Sequence, residues 1–328
     1  MNKLPFENVK REILVKKEFE TDWDYGQDPN KRKTEELINY GIVNLNKPSG
    51  PTSHQVSDYV QKILYINKSG HSGTLDPGVT GVLPIALGKA TRIVQTLLTA
   101  GKEYVCLMYL HKEVSEKEIN EAVKKFTGKI KQLPPIKSAV KRRLRTREVY
   151  YVEIMEIEDR EVLFRIGCQA GTYIRKWVDD FGKFLGVGAH MQQLIRTKAG
   201  PFSDSSWHSL HDLKDAYEFY KEGDENELRK IILPIEEAVM HLPKVWVVDS
   251  AVDSICHGAS LSIPGISRLN NFKEDETIAI MTLKDELISL GISVINLDEI
   301  MKKDKGLAIK TSKVFMDRNV YPKFISKK

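Results

Sequence analysis

The sequence predicts an α+β protein made of two parts. Strand-like and helix-like segments alternate irregularly along residues 36–240, without the regular βαβ rhythm that builds a parallel sheet. The dipeptide Leu242-Pro243 follows a helix-like segment at 233–240 and is typical of a hinge. Residues 241–328 contain several short strand-like runs and are long enough for a small second domain.

Composition narrows the class of protein. Of the 328 residues, 41% are hydrophobic and 29% charged, which is ordinary for a soluble globular chain. No apolar run reaches the roughly 18 residues of a membrane helix, and the lysines and glutamates near the start do not suit a signal peptide, so a cytoplasmic protein without a membrane partner is predicted. The scattered Cys106, Cys168 and Cys256 favour reduced thiols, and no metal site is predicted.

Each predicted element follows from its own pattern. Residues 1–35 mix both charges and carry Trp23 and Tyr25, which predicts an extension that docks on the C-terminal part, with disorder as the alternative. Helices are predicted after the cap at Thr52-Ser53 and, from apolar spacing, over 119–126 and 174–185. Strands are predicted at 42–45, 102–110, 150–157, 162–168, 246–248, 261–263, 277–281, 294–297 and 307–309.

The loop at residues 70–81 is the most informative segment. Four glycines surround one carboxylate, Asp76, and an apolar stretch follows immediately. Glycine permits close backbone approach, and Pro77 disfavours helical geometry at Asp76, so the carboxylate is presented by a shaped loop beside a core segment. The tripeptide Asp-Pro-Gly taken alone is more typical of an ordinary turn, but the whole run predicts chemistry at Asp76.

A basic segment follows two prolines near the middle of the chain. Six cations and no acid occupy residues 137–147, namely Lys137, Lys141, Arg142, Arg143, Arg145 and Arg147. Such a density attracts a phosphate backbone, although it carries no base specificity. A solvated hairpin or a targeting signal is the alternative reading.

Residues 41–54 and 70–81 together resemble the TruB-type pseudouridine synthases, and within them the archaeal homologues of dyskerin. The extension with Asp24-Tyr25-Gly26 and the segment 138–145 favour the dyskerin group over stand-alone bacterial enzymes. The resemblance implies a mixed, largely antiparallel sheet in a catalytic domain at 36–240. It also implies a small β-rich PUA domain, which binds RNA, at 241–328.

Site residues are implied by matching positions. Asp76 matches the catalytic aspartate, as nucleophile or electrostatic catalyst, and Arg175 its partner, since a guanidinium stays charged and binds a carboxylate through two bonds. Tyr104 matches the tyrosine that stacks on the target uracil and is a candidate for proton transfer. The matching pocket residues are Tyr173, Leu194 as an apolar wall, His71 as an aid to base extrusion, and Arg196 as a contact to substrate phosphate. The purely structural alternatives are a core position for Tyr104, a solvated position for Arg175 and an ordinary loop position for His71.

RNA contacts are implied for two further regions. The basic segment resembles a thumb loop that closes over substrate RNA, through Lys141, Arg142, Arg143, Arg145 and Arg147. Residues 256–266 resemble the guide-binding surface of the PUA domain, and the positions expected to contact guide RNA are Gly258, Ala259, Leu261, Pro264 and Gly265. Small residues there would allow RNA to approach the backbone.

The implied function is isomerisation of uridine to pseudouridine directed by a box H/ACA guide RNA. No cofactor and no metal is expected, since the base is retained and no redox change occurs. The implied partners are the guide RNA, substrate RNA, a kink-turn-binding protein and two small accessory proteins. A guide-independent synthase acting on the T-loop of transfer RNA is one alternative, and a non-catalytic RNA-binding scaffold is another.

Overall fold

A computed structural model describes residues 2–134 and 143–323 of the chain. Its α-helices are α1 (Thr34–Tyr40), α2 (Ser53–Leu64), α3 (Val94–Thr99), α4 (Glu116–Lys125), α5 (Ile174–Phe184), α6 (Leu210–Lys221), α7 (Asn226–Ile231), α8 (Asp249–Cys256) and α9 (Leu297–Lys302). Short 3-10 helices lie at Pro5–Asn8, Pro29–Lys31, Gly88–Ile93, Asp204–Ser206, Ile235–Val239 and Ile263–Gly265.

The strands fall into two groups along the chain. The extension and the larger part contain β1 (Ile13–Val15), β2 (Gly41–Lys47), β3 (Ser69–His71), β4 (Thr80–Leu87), β5 (Lys102–Leu110), β6 (Gly128–Gln132), β7 (Arg145–Glu158), β8 (Glu161–Cys168), β9 (Ala189–Ala199), β10 (Phe202–Ser203) and β11 (Ile232–Pro234). The C-terminal part contains β12 (Lys244–Val247), β13 (Leu261–Ser262), β14 (Ile266–Asn270), β15 (Thr277–Thr282), β16 (Leu287–Ser293) and β17 (Leu307–Val314).

Within the described ranges these strands form two sheets. The larger has ten strands in the order β11-β2-β4-β9-β5-β8-β7-β6, with β10 beside β9 and β3 beside β4. Its one parallel pair is β4 with β9, and its other pairs are antiparallel. The smaller has seven strands in the order β1-β14-β12-β15-β16-β17-β13. The α+β class with a mixed, largely antiparallel sheet is therefore confirmed.

Two helices that carry or support the site begin and pack as their sequences require. The Thr52 hydroxyl accepts the backbone N–H of Gln55, which caps α2 as predicted. In α5, Trp177 and Phe181 belong to the core built by β5 and β8 and are about 1% and 0% exposed. Because these apolar residues recur at helical spacing, Arg175 is left on the opposite, exposed face of the helix.

The N-terminal segment runs across both parts of the molecule. Its strand β1 pairs antiparallel with β14 of the smaller sheet. The Lys284 ammonium donates to the carbonyl oxygen of Asp22 at 2.6 Å and to that of Tyr25. At its start Leu4 is fully buried, and the Glu7 carboxylate lies 2.8 Å from the Lys198 ammonium of β9. The extension therefore contacts the strand that carries several predicted site residues.

Most predicted elements are confirmed, and one is wrong. Strand β5 occupies residues 102–110 as predicted. The strand predicted at 294–297 is absent, because the Asn296 side chain accepts the Glu299 backbone N–H at 3.1 Å and starts α9 there. The strand of this region is β16, whose polar Ser289 and small Gly291 interrupt the apolar pattern. No helix in residues 2–134 or 143–323 has the length and apolarity to cross a membrane.

Candidate active site

The loop that carries Asp76 connects β3 to β4 and packs against the backbone of β9. Gly73 and Gly81 adopt φ values of 117° and 110°, a region that residues with a side chain rarely occupy. A Cβ at Gly81 would lie 2.2 Å from the Arg196 carbonyl oxygen of β9. The loop therefore needs glycine at this end, where β4 and β9 meet.

Two buried polar side chains fix the loop backbone. The Lys47 ammonium donates to the carbonyl oxygens of Pro48 at 2.7 Å and Pro77 at 3.0 Å. The Ser53 hydroxyl accepts the Leu75 backbone N–H at 2.9 Å and donates to the Leu75 carbonyl at 3.2 Å. Lys47 and Ser53 are both fully buried. Ser53 satisfies the residue before Asp76 and Lys47 the residue after it, so together they limit how far the carboxylate can move.

The structure brings Asp76 and Arg175 together across 99 positions of sequence. Arg175 Nη2 donates to Asp76 Oδ2 at 2.7 Å, and the two side chains are 62% and 61% exposed. The pair thus stands at the surface, where a large substrate can reach the carboxylate.

Tyr104 lies in β5 directly between two other strands. Its register partners are Ile166 of β8 and Arg196 of β9. The ring is half-buried and packs with Leu194 of β9 against the same apolar core. Burial raises the pKa of the Tyr104 hydroxyl above its usual value, so the phenol is neutral at neutral pH.

The position of Tyr173 is set by a glutamine that the sequence reading missed. Gln132 Oε1 accepts the Tyr173 backbone N–H at 3.0 Å, and Gln132 Nε2 donates to the Tyr173 carbonyl at 3.2 Å. Gln132 is 3% exposed, at the end of β6. Tyr173 immediately precedes α5, so this pair of bonds also fixes the start of the helix that carries Arg175.

His71 ends strand β3 beside a second histidine. The rings of His71 and His54 meet edge to face with their centroids 4.7 Å apart. Burial lowers the pKa of His71 to about 4, with the neighbouring His54 and Arg196 adding to the effect. The His71 imidazole is therefore neutral at physiological pH.

Arg196 of β9 is buried and binds backbone groups near the loop that carries Asp76. The residue is 1% exposed, so its guanidinium is shielded from solvent. Its Nε donates to the Val82 carbonyl at 2.7 Å and its Nη2 to the Gly73 carbonyl at 3.1 Å. Two of its five N–H groups thus bind backbone oxygens beside the Asp76 loop, and the contact to substrate phosphate stays a prediction.

Only part of the predicted thumb segment is described. Lys141 and Arg142 lie outside the described residues, as does Lys137. Arg143 is exposed, and Arg145 begins β7. Arg147 donates from Nε to the Gly171 carbonyl at 3.1 Å, which ties the base of this segment to the turn before Tyr173.

The predicted guide-binding positions divide between surface and core. Gly258, Ala259 and Pro264 are exposed, and Gly258 has open space around the position of an added Cβ. Gly265 is half-buried. Leu261 is 2% exposed within the core of the smaller sheet, so a guide-RNA contact at this position stays a prediction for its backbone. Its apolar side chain stabilises the surface that the glycines expose.

Comparison with known proteins gives matches along most of the chain. Residues 61–174 match the N-terminal domain of TruB family pseudouridylate synthases, and 175–240 match a tRNA pseudouridylate synthase B C-terminal domain. Residues 2–57 match the DKCLD (NUC011) domain, and 243–315 match the PUA domain. A probable tRNA pseudouridine synthase B of Pyrococcus furiosus is 55% identical over 98% of this chain and 96% of its own.

The chain belongs to the TruB family of pseudouridine synthases. Its relative from Methanopyrus kandleri, also named a probable tRNA pseudouridine synthase B, is 52% identical over 98% of this chain and 95% of its own. A structure of a Cbf5–Nop10–Gar1 complex contains a chain 55% identical to this one, with a TM-score of 0.93 and 98% coverage of both chains. A structure of an H/ACA ribonucleoprotein with substrate RNA contains one 52% identical, with a TM-score of 0.92, covering 98% of this chain and 100% of that one.

Members of this family isomerise uridine, and the arrangement around Asp76 suits such chemistry. Asp76 meets Arg175 at 2.7 Å, and the Tyr104 ring lies on β5 beside β9, which also pairs with β4 where the Asp76 loop ends. The sequence predicted roles for these three, but it indicated Ser53 only as part of a helix cap and gave no role to Gln132. The sequence contains little sign of the roles of Gln132 and Ser53 at the site. The function of a buried amide or hydroxyl can be recognised only when its hydrogen-bond partner in another element is known.

Proposed function

We propose that this synthase is the catalytic subunit of a guide-directed box H/ACA ribonucleoprotein that converts uridine to pseudouridine. The observation that carries the site assignment is the exposed Asp76–Arg175 pair at the end of a braced glycine-rich loop. Guide direction is supported by the likeness of the whole chain to those in Cbf5–Nop10–Gar1 and substrate-bound H/ACA structures. The proposed substrates are a uridine in ribosomal RNA and also transfer RNA.

The proposed roles follow from the chemistry of isomerisation. The glycosidic bond between N1 of uracil and the sugar breaks, the base turns, C5 bonds to the sugar, and the C5 proton leaves while N1 takes up a proton. Asp76 attacks or electrostatically stabilises the sugar carbon, and Arg175 keeps the carboxylate ionised when substrate RNA excludes water. Tyr104 stacks on the extruded base, and its neutral hydroxyl is available for proton transfer.

His71, Tyr173 and Leu194 are proposed as walls of the same pocket. His71 is neutral, so it would enter the RNA stack as a flat ring with little desolvation cost. Arg143, Arg145 and Arg147, with Lys141 and Arg142, are proposed to hold the phosphate backbone of the substrate. No resident cofactor or metal is proposed, and the cytoplasmic location remains a prediction.

The proposed domains are an extension at 1–35, a catalytic domain at 36–240 and an RNA-binding PUA domain at 241–328. Pairing of β1 with β14 supports docking of the extension on the PUA domain. The exposed Gly258, Ala259, Pro264 and partly exposed Gly265 are proposed to contact guide RNA. The further proposed partners are two small accessory proteins and a kink-turn-binding protein, in keeping with the Nop10 and Gar1 chains beside Cbf5.

Guide-independent modification of transfer RNA is the second candidate. It is favoured by the names of the relatives, which are probable tRNA pseudouridine synthases B. A non-catalytic scaffold is less well supported, because the carboxylate, its arginine and the stacking tyrosine are all present. The two enzymatic candidates share one site and differ only in how the RNA reaches it.

Release of tritium from C5 of uridine tests these candidates. Purified protein receives either bare transfer RNA or a guide–target pair with the accessory proteins. Release only with the guide supports guide direction, release from bare transfer RNA supports the second candidate, and RNA binding without release from either supports the scaffold. Asp76→Asn is expected to abolish release while guide binding persists. Asp58→Asn, an exposed aspartate on α2, is the matched control and is expected to be fully active.

A further inference from the structure

The hairpin formed by β6 and β7 binds the turn that precedes α5 through two of its side chains. Gln132, the last residue of β6, binds both backbone groups of Tyr173: its Oε1 accepts the N–H at 3.0 Å and its Nε2 donates to the carbonyl at 3.2 Å. From β7, Arg147 Nε donates to the Gly171 carbonyl at 3.1 Å. Both strands of one hairpin therefore hold the same short turn.

The start of α5 receives support from another element of the fold. Tyr173 occupies the position before the helix where Ser, Thr, Asp or Asn is preferred, because their short side chains accept a backbone N–H of the first turn. The Tyr173 carbonyl accepts the Trp177 N–H at 2.9 Å, so its backbone is the first link of the helix. Since Gln132 both donates to Tyr173 and accepts from it, the two bonds fix that backbone in position and in rotation.

The placement of Arg175 depends on where this helix begins. Arg175 lies in the first turn of α5, is 62% exposed, and donates to Asp76 Oδ2 at 2.7 Å. A shift or rotation of the helix start would carry the guanidinium with it. Asp76 is held separately, because Lys47 and Ser53 bind the backbone on either side of it. The separation within the Asp76–Arg175 pair therefore depends on the support that Gln132 gives to α5.

The same hairpin carries the basic segment proposed to bind substrate RNA. Strand β6 ends at Gln132 and β7 begins at Arg145, its register partner, while the exposed Arg143 lies just before β7. A phosphate held by Arg143 would restrain the end of the hairpin from which Gln132 reaches α5. Substrate binding and the placement of Arg175 thus share one structural support.

We propose that Gln132 is a positioning residue that makes the placement of Arg175 beside Asp76 depend on the RNA-binding hairpin. RNA bound at Arg143 restrains the hairpin, Gln132 holds the backbone of Tyr173 to it, and the bond from Arg175 to Asp76 is kept as the site fills. This inference rests on the roles of Asp76 and Arg175 in the proposed function. Gln132 acts through Arg175, so its loss lowers turnover and leaves RNA affinity unchanged.

Gln132→Met removes both bonds to Tyr173 and keeps a side chain of similar length. Single-turnover tritium release at saturating RNA is expected to fall by about 10-fold, because a small misplacement of a reacting group is costly, while the dissociation constant for RNA stays within about twofold. Weaker RNA binding with an unchanged rate at saturation would overturn the proposal. Gln27→Met is the matched control: its amide binds Glu36 at 2.9 Å in the extension, and both readouts are expected to be unchanged.

A double-mutant cycle tests whether Gln132 acts through Arg175. In an Arg175→Met background the further loss of turnover from Gln132→Met is expected to be within about threefold, because the group that Gln132 positions is absent. Losses that simply multiply would mean that Gln132 supports the site by general packing, which contradicts the proposal.

A second cycle tests the dependence on the hairpin. Arg143→Ala is expected to lower both RNA affinity and the rate at saturating RNA in the wild type. In the Gln132→Met variant the same change should lower affinity alone, because the hairpin no longer holds the start of α5. If Arg143→Ala leaves the wild-type rate unchanged, or lowers the rate equally in both backgrounds, the hairpin does not control Arg175.

Hydrogen exchange tests the contact without any turnover. The Tyr173 amide hydrogen, which Gln132 Oε1 accepts, is expected to exchange with deuterium several times faster in Gln132→Met than in the wild type. Unchanged exchange would show that Gln132 does not hold the start of α5. Gln132→Asn, whose amide is one methylene shorter, repeats both readouts if Gln132→Met folds poorly. Faster exchange in a protein that releases no tritium would leave the support of α5 established and refute the proposed function instead.

Discussion

Two arginine–carboxylate pairs have the same 2.7 Å separation and opposite surroundings. Arg175 and Asp76 are 62% and 61% exposed at the candidate active site. Arg32 and Glu236 are 6% and 9% exposed where the extension, the larger part and the smaller sheet meet, and Glu236 also accepts the Leu287 backbone N–H at 2.9 Å. Arg32 binds both Glu236 oxygens, at 2.7 and 2.8 Å, whereas Arg175 donates to one oxygen of Asp76, and the buried pair joins three parts of the fold.

The difference shows what each pair can contribute. In water the attraction of an exposed pair is nearly balanced by solvation and side-chain entropy, so Arg175 and Asp76 add little stability and stay available to substrate. A buried pair also adds little net stability, because removing two charges from water is costly. Removal of one partner is nevertheless destabilising, because the other charge stays in the core without a partner. Burial therefore distinguishes a structural pair from a functional one.

Removing the buried arginine is expected to have the largest effect. Arg32→Met leaves the Glu236 carboxylate buried with only the Leu287 N–H, so the free energy of unfolding should fall by about 3–5 kcal/mol. Urea unfolding followed by circular dichroism measures it. The double variant Arg32→Met/Glu236→Leu is expected to recover most of the loss. A loss under about 1 kcal/mol for the single variant would mean that the buried pair matters no more for stability than the exposed pair does.

Removing the exposed arginine should affect turnover and leave stability almost unchanged. Arg175→Met is expected to slow single-turnover tritium release by about 100-fold, because the charge beside Asp76 is lost as RNA closes the site. The free energy of unfolding should change by less than about 1 kcal/mol. Arg175→Lys, which keeps the charge without the fork, should fall between this variant and the wild type. Normal turnover in Arg175→Met would show that the pair is only a surface contact.

A smaller effect is expected from a buried histidine near the same junction. Burial lowers the pKa of His241 to about 4, and Lys102 and Arg11 add to the effect. Below about pH 6.5 the His241 imidazole is protonated in the unfolded chain but stays neutral in the folded protein. The free energy of unfolding therefore falls as the pH drops from about 6.5 towards 4. Between pH 7.5 and 5 the wild type should lose about 1–2 kcal/mol more than His241→Gln in urea unfolding. Equal losses would mean that His241 titrates normally in the folded protein.

Much of the fold was readable from local pattern. The extent of β5, the cap of α2 and the apolar face of α5 follow from residues close in sequence, and each is confirmed. The failure at 294–297 has a local cause too, because one asparagine cap outweighed a short apolar run. The order of the strands could not be predicted from local pattern, because the pairing of β4 with β9 depends on contacts between residues more than a hundred positions apart.

The sequence by itself determined that a carboxylate would stand in a glycine-shaped loop and that an arginine and a tyrosine of the matching types were present. Only the tertiary structure decided which side chains face solvent. Arg175 and Arg196 are the same residue type 21 positions apart, yet one is 62% exposed on a helix and the other is 1% exposed in a sheet. Burial depends on what other elements pack above a position, and local pattern does not contain that information.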